Sequence, residues 1–218
     1  MINDKRIIVS MTSWPKRIEN VSRVIFSLLQ QTIKPDSIEV NLSIEEFPNK
    51  ERDLPNDLLL LQDDDQIKIN WVEKNTKTFK KFIPVIQKYF GEDYYLFTVD
   101  DDWLYDSDYI ESMLGALGEN FVYCPDNGII GNRMIYRSVA FKDDFWNKLT
   151  DEVITTGVDD TYIFYYMKKH NIKMKLAFND KIKSKKKQFN EVCPLREFYL
   201  KEGRVKKAEI LSKQIWEC

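Results

Sequence analysis

A chain of 218 residues with 33 Lys and Arg against 35 Asp and Glu, 43% apolar residues and 13% aromatics has the make-up of one ordinary globular domain. The charge is uneven: residues 168–187 hold nine lysines and one acid, Asp180, a local +8 that leaves −10 elsewhere and argues against a nucleic-acid binder. No window approaches the roughly 18 apolar residues of a membrane span, and three scattered cysteines (Cys124, Cys193, Cys218) with a single histidine, His170, argue against a disulfide scaffold or a Cys/His zinc site.

Ile7–Met11 is a β-branched run, a predicted first strand, stopped by Thr12-Ser13-Trp14-Pro15. Ile18, Val21, Val24, Ile25, Leu28 and Leu29 recur at helical spacing as far as Gln31, where Lys34-Pro35-Asp36 ends the helix. Ile38–Leu42 reads as a second strand, residues 43–55 as a polar loop, Leu58–Leu61 as a short helix and Ile67–Val72 as a third strand. Phe79–Tyr89 has helical spacing, with Pro84 marking an early position or a kink. Tyr94–Val99 is a fourth, nearly all-apolar strand that runs into Asp100-Asp101-Asp102. Farther on, Tyr109–Leu117 reads as a helix and Ile129–Phe141 as one or two strands. Thr161–Lys169 is a helix entered through Gly157-Val158-Asp159-Asp160, followed by a strand at Lys173–Phe178 and a final amphipathic helix over Leu195–Trp216. Alternating strands and helices predict a mostly parallel α/β sheet, whose ligands sit at the carboxyl ends of its strands. Residues 1–178 are expected as a single domain, with 179–218 as a basic segment and helix packed on or appended to it.

If the chain is an enzyme, carboxylates are its most abundant working groups. Along an extended strand Asp100 and Asp102 would point one way and Asp101 the other. Two oxygens converging on solvent suit Mg²⁺ or Mn²⁺, whose remaining ligands come from water and phosphate; an acidic turn is the plain alternative. Asp63-Asp64-Asp65 has the same composition but precedes a strand, at the wrong edge, and is expected as a solvated loop. Asp159 and Asp160 open a helix, where the free N–H groups would lower their pKa; one would be an N-cap or a general base. Among many rings, Trp103 directly follows the triplet and is the one singled out as a site residue, whereas Tyr162, Tyr165 and Tyr166 have the spacing of a core.

These features together resemble GT-A-fold glycosyltransferases. Asp100-Asp101-Asp102 is similar to their Asp-x-Asp motif, and Asp159-Asp160 with Thr161–Asn171 to their Glu-Asp motif and its helix. Residues Val9–Ile18, Ser27–Thr32, Lys34-Pro35-Asp36 and Thr78–Pro84 are similar to small family 2-like bacterial enzymes that build surface polysaccharides. The resemblance implies a Rossmann-like, mostly parallel sheet flanked by helices. It also implies metal-dependent transfer, with inversion, of a sugar from a nucleotide-diphosphate sugar, first of all a UDP-sugar, to a glycan or lipid-linked acceptor hydroxyl. Asp100 and Asp102 would hold Mn²⁺ or Mg²⁺, Asp160 or Asp159 would be the base, and Asp100 and Asp101 would lie at the donor. Thr12, Ser13 and Arg17, with Ser43 or Glu45, would line the nucleoside pocket, Lys80 and Lys81 would contact the nucleotide or form a solvated pair, and Trp103 would stack on the acceptor sugar. Asp159 stands where the family has Glu, and strand two ends in Asn41-Leu42-Ser43 without an acidic pair. The run Lys181–Lys187 reads as a solvated loop; its other readings are a lysine closing over the diphosphate, or, with the final helix, contact with anionic lipid at the inner face of the membrane. The expected location is the cytoplasm or that surface. Nucleotidyl transfer and a non-catalytic carbohydrate- or partner-binding module are the competing functions.

Overall fold

In the computed structural model, residues 5–124, 134–176 and 202–217 are described. Strand β1 (Ile7–Thr12) is buried on both faces, as a central parallel strand must be. It pairs in parallel with β2 (Ser37–Ser43) on one side and β4 (Tyr95–Thr98) on the other, Val9 lying opposite Ile38 and Phe97. Strand β3 (Lys68–Val72) extends this parallel set beyond β2. Past β4, β6 (Met134–Arg137) runs antiparallel to both β4 and β5 (Val122–Cys124), and β7 (Met174–Leu176) closes the sheet parallel to β5. The order is β3-β2-β1-β4-β6-β5-β7, a mostly parallel sheet as predicted.

Side chains of alternate residues go to opposite faces. Ile7, Val9 and Met11 join Ile38, Val40, Leu42 and Phe97 under α1 (Val21–Leu29), α2 (Asn56–Asp63) and α4 (Tyr109–Leu117). Ile8 and Leu96 face the other way, into a second core. That core is formed with α3 (Ile83–Lys88), α5 (Asp144–Asn147), α6 (Asp151–Thr156) and α7 (Asp159–Lys169). The predicted helix over Phe79–Tyr89 is corrected: a 3₁₀ turn, Lys77–Lys81, precedes α3, and Pro84 sits in the first turn of α3, where its missing N–H costs nothing.

A buried polar network fixes that turn-helix pair to the sheet. Glu39 of β2 is fully buried, and its carboxylate accepts from Tyr89 Oη at 2.6 Å, Asn70 Nδ2 at 2.9 Å and Lys88 Nζ at 3.1 Å. Burial would raise the Glu39 pKa, but these three donors outweigh it and hold the pKa below the ordinary carboxylate range.

Helix α6 is capped by Thr150 and ends at Gly157, whose φ of +68° turns the chain directly into α7. The last helix, α8 (Arg204–Trp216), packs its Ala208, Ser212 and Trp216 inward against α6 and α7. Leu211 and Ile215 pack beside them, while Val205 and Ile210 face outward. Of the apolar residues expected to face lipid, Leu211 and Ile215 thus pack on the core and Val205 and Ile210 are exposed; Leu195–Lys201 and the run Lys181–Lys187 fall outside the described residues. His170 ends α7, its Nε2 2.9 Å from Asp144 Oδ2 and its ring against Tyr166 and Trp216.

Candidate active site

The carboxyl ends of β1 to β4 and the start of α7 converge on one acidic centre. The triplet is not the extended strand that the alternation argument assumed: β4 ends at Thr98, and Asp101 and Asp102 form a turn. Asp100 is anchored through its backbone N–H, which donates to Tyr105 Oη at 2.9 Å. Asp101 turns inward and is 7% exposed; its two carboxylate oxygens accept from Ser13 Oγ at 2.7 Å and Arg17 Nη1 at 2.8 Å. Arg17 also lies 3.1 Å from Asp102 Oδ2. Ser13 and Arg17, expected beside a nucleoside, are thus committed to the triplet.

Lys81 joins the two acidic motifs. Its Nζ is 3.4 Å from both Asp100 Oδ1 and Asp159 Oδ2, and the side chain is 6% exposed. Thr78, in the same turn, donates to the Gly157 carbonyl at 3.1 Å and so ties this segment to the entry of α7. Lys80 is equally buried and pairs with Glu46 and with Asn75 Oδ1, the latter at 3.0 Å. The solvated-pair reading of these lysines is therefore wrong.

The first two loops complete the edge. Thr12 Oγ1 donates to the Asn41 carbonyl at 2.8 Å, and Ser43 Oγ accepts from the Glu45 N–H at 3.1 Å. Glu45 is exposed and accepts from the Asn75 N–H at 3.1 Å. Trp103 is corrected: it lies in the core, 9% exposed, where its faces meet protein and not a sugar.

Among the described residues, five carboxylates, Asp100, Asp101, Asp102, Asp159 and Asp160, gather around the buried cations Arg17 and Lys81, and the charge of buried Lys80 also reaches Asp101. Burial opposes the charge on Arg17 and Lys81, but the neighbouring acids outweigh it and keep them protonated. Burial, followed by the charge of Asp100, pushes Asp102 up to about 6. Burial and Asp159 do the same to Asp160, also to about 6. For Asp160 the expected lowering by the helix start is overturned, because desolvation and a like charge exceed the helix-end effect. Neither acid is an N-cap: that position is Val158, and among the described residues Asp160 Oδ1 accepts from Thr161, its N–H at 2.8 Å and its hydroxyl at 3.5 Å.

Glu46, Asn75 and Tyr105 were not singled out from the sequence. Glu46 lies in a polar loop with nothing to separate it from Glu45, and its partner Lys80 is 34 residues away. The two hollows of about 220 and 240 Å³ lie at the opposite edge, lined for example by Phe90 and Tyr94, and by Pro35 and Lys68.

Neither protein-family models nor curated proteins give a match to the sequence. Solved structures do, and they define the class: the chain has a GT-A glycosyltransferase fold. Glucosyl-3-phosphoglycerate synthase from Mycobacterium tuberculosis, in complex with Mn²⁺, UDP and glucosyl-3-phosphoglycerate, matches with a TM-score of 0.55 at 10% identity, over 98% of this chain and 81% of that one. S. aureus TarS residues 1–349 match with a TM-score of 0.52 at 13% identity, over 97% and 69% of the two chains. A longer TarS structure gives 0.51 at 11% identity, and there the match spans 80% of this chain but only 35% of TarS.

Proposed function

We propose that this chain transfers a sugar from a nucleoside-diphosphate sugar, a UDP-sugar in the first instance, to an acceptor hydroxyl with inversion. The observation that carries this reading is the meeting of Asp100 and Asp159 on one buried ammonium, that of Lys81. It brings a donor-side acid and an acceptor-side acid together at the carboxyl edge of a parallel sheet, where such folds bind ligands. The Mn²⁺ and UDP held by the mycobacterial synthase support the same reading.

The donor set fits a divalent cation. The side chains of Asp100 and Asp102 remain 19% and 16% exposed at the rim, and burial together with the charge of Asp100 pushes the pKa of Asp102 up, a strain that a bound cation would relieve. No group of three His, Cys, Asp or Glu side chains among the described residues forms a cage. Asp100 and Asp102 would thus supply two ligands and leave the rest to phosphate and water, the habit of Mg²⁺ and Mn²⁺. When bound, the ion supplies charge stabilisation for the departing nucleoside diphosphate.

The chain's own groups do the rest. Asp101, with Ser13 and Arg17, fixes the triplet's turn. Thr12, Ser43 and Glu45 border the nucleoside, and Lys80 holds the loops after β2 and β3 together through Glu46 and Asn75. Asp159 lies 3.4 Å from Lys81 Nζ, whereas the pKa of Asp160 is pushed up to about 6 by burial and Asp159 even against the attraction of Lys81, so Asp160 takes the proton from the acceptor hydroxyl. A bacterial surface glycan or its lipid-linked precursor is the acceptor class, met at the cytoplasmic face of the membrane. No helix among the described residues is long and apolar enough to cross a membrane.

The test is thermal stability of the full chain with Mn²⁺ and a panel of nucleotide sugars. Stabilisation by a nucleoside diphosphate in the presence of metal, lost in Asp102→Asn, is the expected result. No response to any donor would sink the proposal.

A further inference from the structure

Helix α7 carries two acids at its start and a stripe of rings behind them. Asp159, Tyr162, Tyr166 and His170 are spaced i, i+3, i+7 and i+11, which at about 3.6 residues per turn keeps them on one side of the helix. Trp216 of α8 lies across this stripe, its ring centroid 5.4 Å from that of Tyr162, 5.1 Å from Tyr166 and 5.9 Å from His170, edge to face each time. Tyr162 is fully buried; it also meets Phe79 and Phe145 edge-on, each at 5.6 Å, and its hydroxyl donates to the Phe145 carbonyl at 2.8 Å. Phe79 belongs to the turn Lys77–Lys81, which also places Thr78 on the Gly157 carbonyl and Lys81 beside Asp159. The turn thus meets the first part of α7 at three points, and the contact through Phe79 continues across Tyr162 to Trp216.

From this chain of rings, and resting on the function proposed above, we infer that Trp216 is a positioning residue for transfer: through Tyr162 it seats Asp159 and Asp160 against the turn Lys77–Lys81. Trp216 is 1% exposed, and its Nε1 has no hydrogen-bond partner among the described residues. A bare buried N–H is a cost that a phenyl ring does not carry, so the contribution of Trp216 lies in its ring contacts. A close-packed core transmits the loss of a ring to its neighbours. Tyr162 would then shift, and the first turn of α7 and Phe79 with it. The donor side has its own anchors, Tyr105 on the Asp100 N–H and Ser13 and Arg17 on Asp101. Losing Trp216 therefore displaces the base and leaves the donor acids in place.

The experiment compares the full chain with Trp216→Leu, which stays apolar without a ring, and Trp216→Phe, which keeps one. Hydrogen exchange reads the packing without substrate. In Trp216→Leu the amides of residues 77–81 and 157–162 are expected to exchange about tenfold faster while those of β1 and β2 keep the parent rate, and Trp216→Phe is expected to match the parent. In turnover of a UDP-sugar with Mn²⁺, read as UDP release, Trp216→Leu is expected to lower kcat by about ten- to a hundredfold, the scale of a misplaced reacting group. Its donor KM should stay within about twofold of the parent, and Trp216→Phe should recover most of the rate. Exchange that quickens evenly over the whole chain, or only within α8, overturns the inference. So does a kcat in Trp216→Leu equal to the parent's, or a donor KM that rises as kcat falls. If Trp216→Leu does not fold, Trp216→Met takes its place, and failure of both to fold makes Trp216 a general core residue and overturns the inference too. A parent chain that turns over no UDP-sugar sinks the proposed function, and hydrogen exchange then decides the link from Trp216 to the turn by itself.

Discussion

Two runs of three aspartates lie at opposite edges of the same sheet. Asp63, Asp64 and Asp65 are all exposed, between α2 and β3. Asp100, Asp101 and Asp102 follow β4 and are drawn into contact with Arg17, Ser13 and Lys81. Composition is identical, so the difference comes from which edge the strand direction assigns. At the carboxyl edge the loops after β1 and β3 bring cations from 84 and 19 residues away. At the amino edge the first triplet ends a helix and meets solvent. A run of like charges becomes a candidate site when the fold surrounds it with buried partners.

The largest contrast should appear in catalysis. Asp160→Asn is expected to lower transfer by about 10²–10⁴-fold, the usual scale for a general base, while nucleotide binding stays near that of the parent. Asp64→Asn should change neither quantity. Initial rates and donor titrations on the same preparations separate the two; a loss in Asp159→Asn with full activity in Asp160→Asn would move the base to the residue that Lys81 holds.

Stability should follow the same division. Asp101→Ala removes the carboxylate that accepts from both Ser13 and Arg17 and takes its shortest ion pair from a largely buried guanidinium. Breaking a buried pair in this way costs about 3–5 kcal/mol, with the remaining Asp102 contact favouring the lower end. Asp64→Ala, on the surface, should stay within about 0.5 kcal/mol. Urea denaturation of both variants checks this, and equal midpoints would erase the distinction between the two triplets.

The pH dependence tests the charge imbalance at α7. The folded-state pKa of Asp160, about 6, lies above its ordinary value of 3.8, so the folded chain holds this proton more tightly than the unfolded one. Its favourable contribution is complete below about pH 4 and lost as pH rises through 6, at most about 3 kcal/mol in total. Glu39 works in the opposite sense: its lowered pKa gives stability that disappears on acidification. The useful reading is therefore the stability of the parent minus that of Asp160→Asn, which should fall steadily from pH 4 to pH 7. A constant difference would mean that Asp160 is not short of counter-charge.

Much of this was legible in the sequence. The first four strands, the carboxyl edge and both acidic motifs follow from β-branched runs that stop at polar clusters, and the exposed triplet was separable by its position before a strand. The pairings were not legible. Arg17 with Asp101, Lys81 with Asp159 and Lys80 with Glu46 join residues far apart in the chain, and no periodicity encodes them. Rules for single elements also failed where elements meet. Strand alternation did not apply to Asp101 and Asp102 because β4 had already ended, and the helix-end rule for Asp160 gave way to burial and Asp159. Trp103 was read from its neighbours in sequence, whereas its surroundings in space are core. The short helices α5 and α6 offer too few turns for a hydrophobic period to show.

The smallest effect should have the opposite sign, and it explains why an aspartate ends the exposed triplet. After α2, the Asp65 N–H donates to the Gln62 carbonyl at 3.0 Å and the Gln66 N–H to the Leu61 carbonyl at 2.9 Å, with Asp65 at a φ of +55°. This is the paired bonding of a Schellman helix end, whose left-handed position favours Gly and tolerates Asp or Asn better than other side chains. Three acids at a helix carboxyl end also oppose the helix dipole. Asp65→Gly relieves both and should stabilise the chain by about 0.5 kcal/mol, with Asp65→Asn gaining less and Asp65→Val losing about 1 kcal/mol to the left-handed backbone. Urea midpoints of the three variants order these effects. A destabilised Asp65→Gly would show that the carboxylate itself is needed at this edge, and the exposed triplet would then no longer serve as the inert counterpart of Asp100–Asp102.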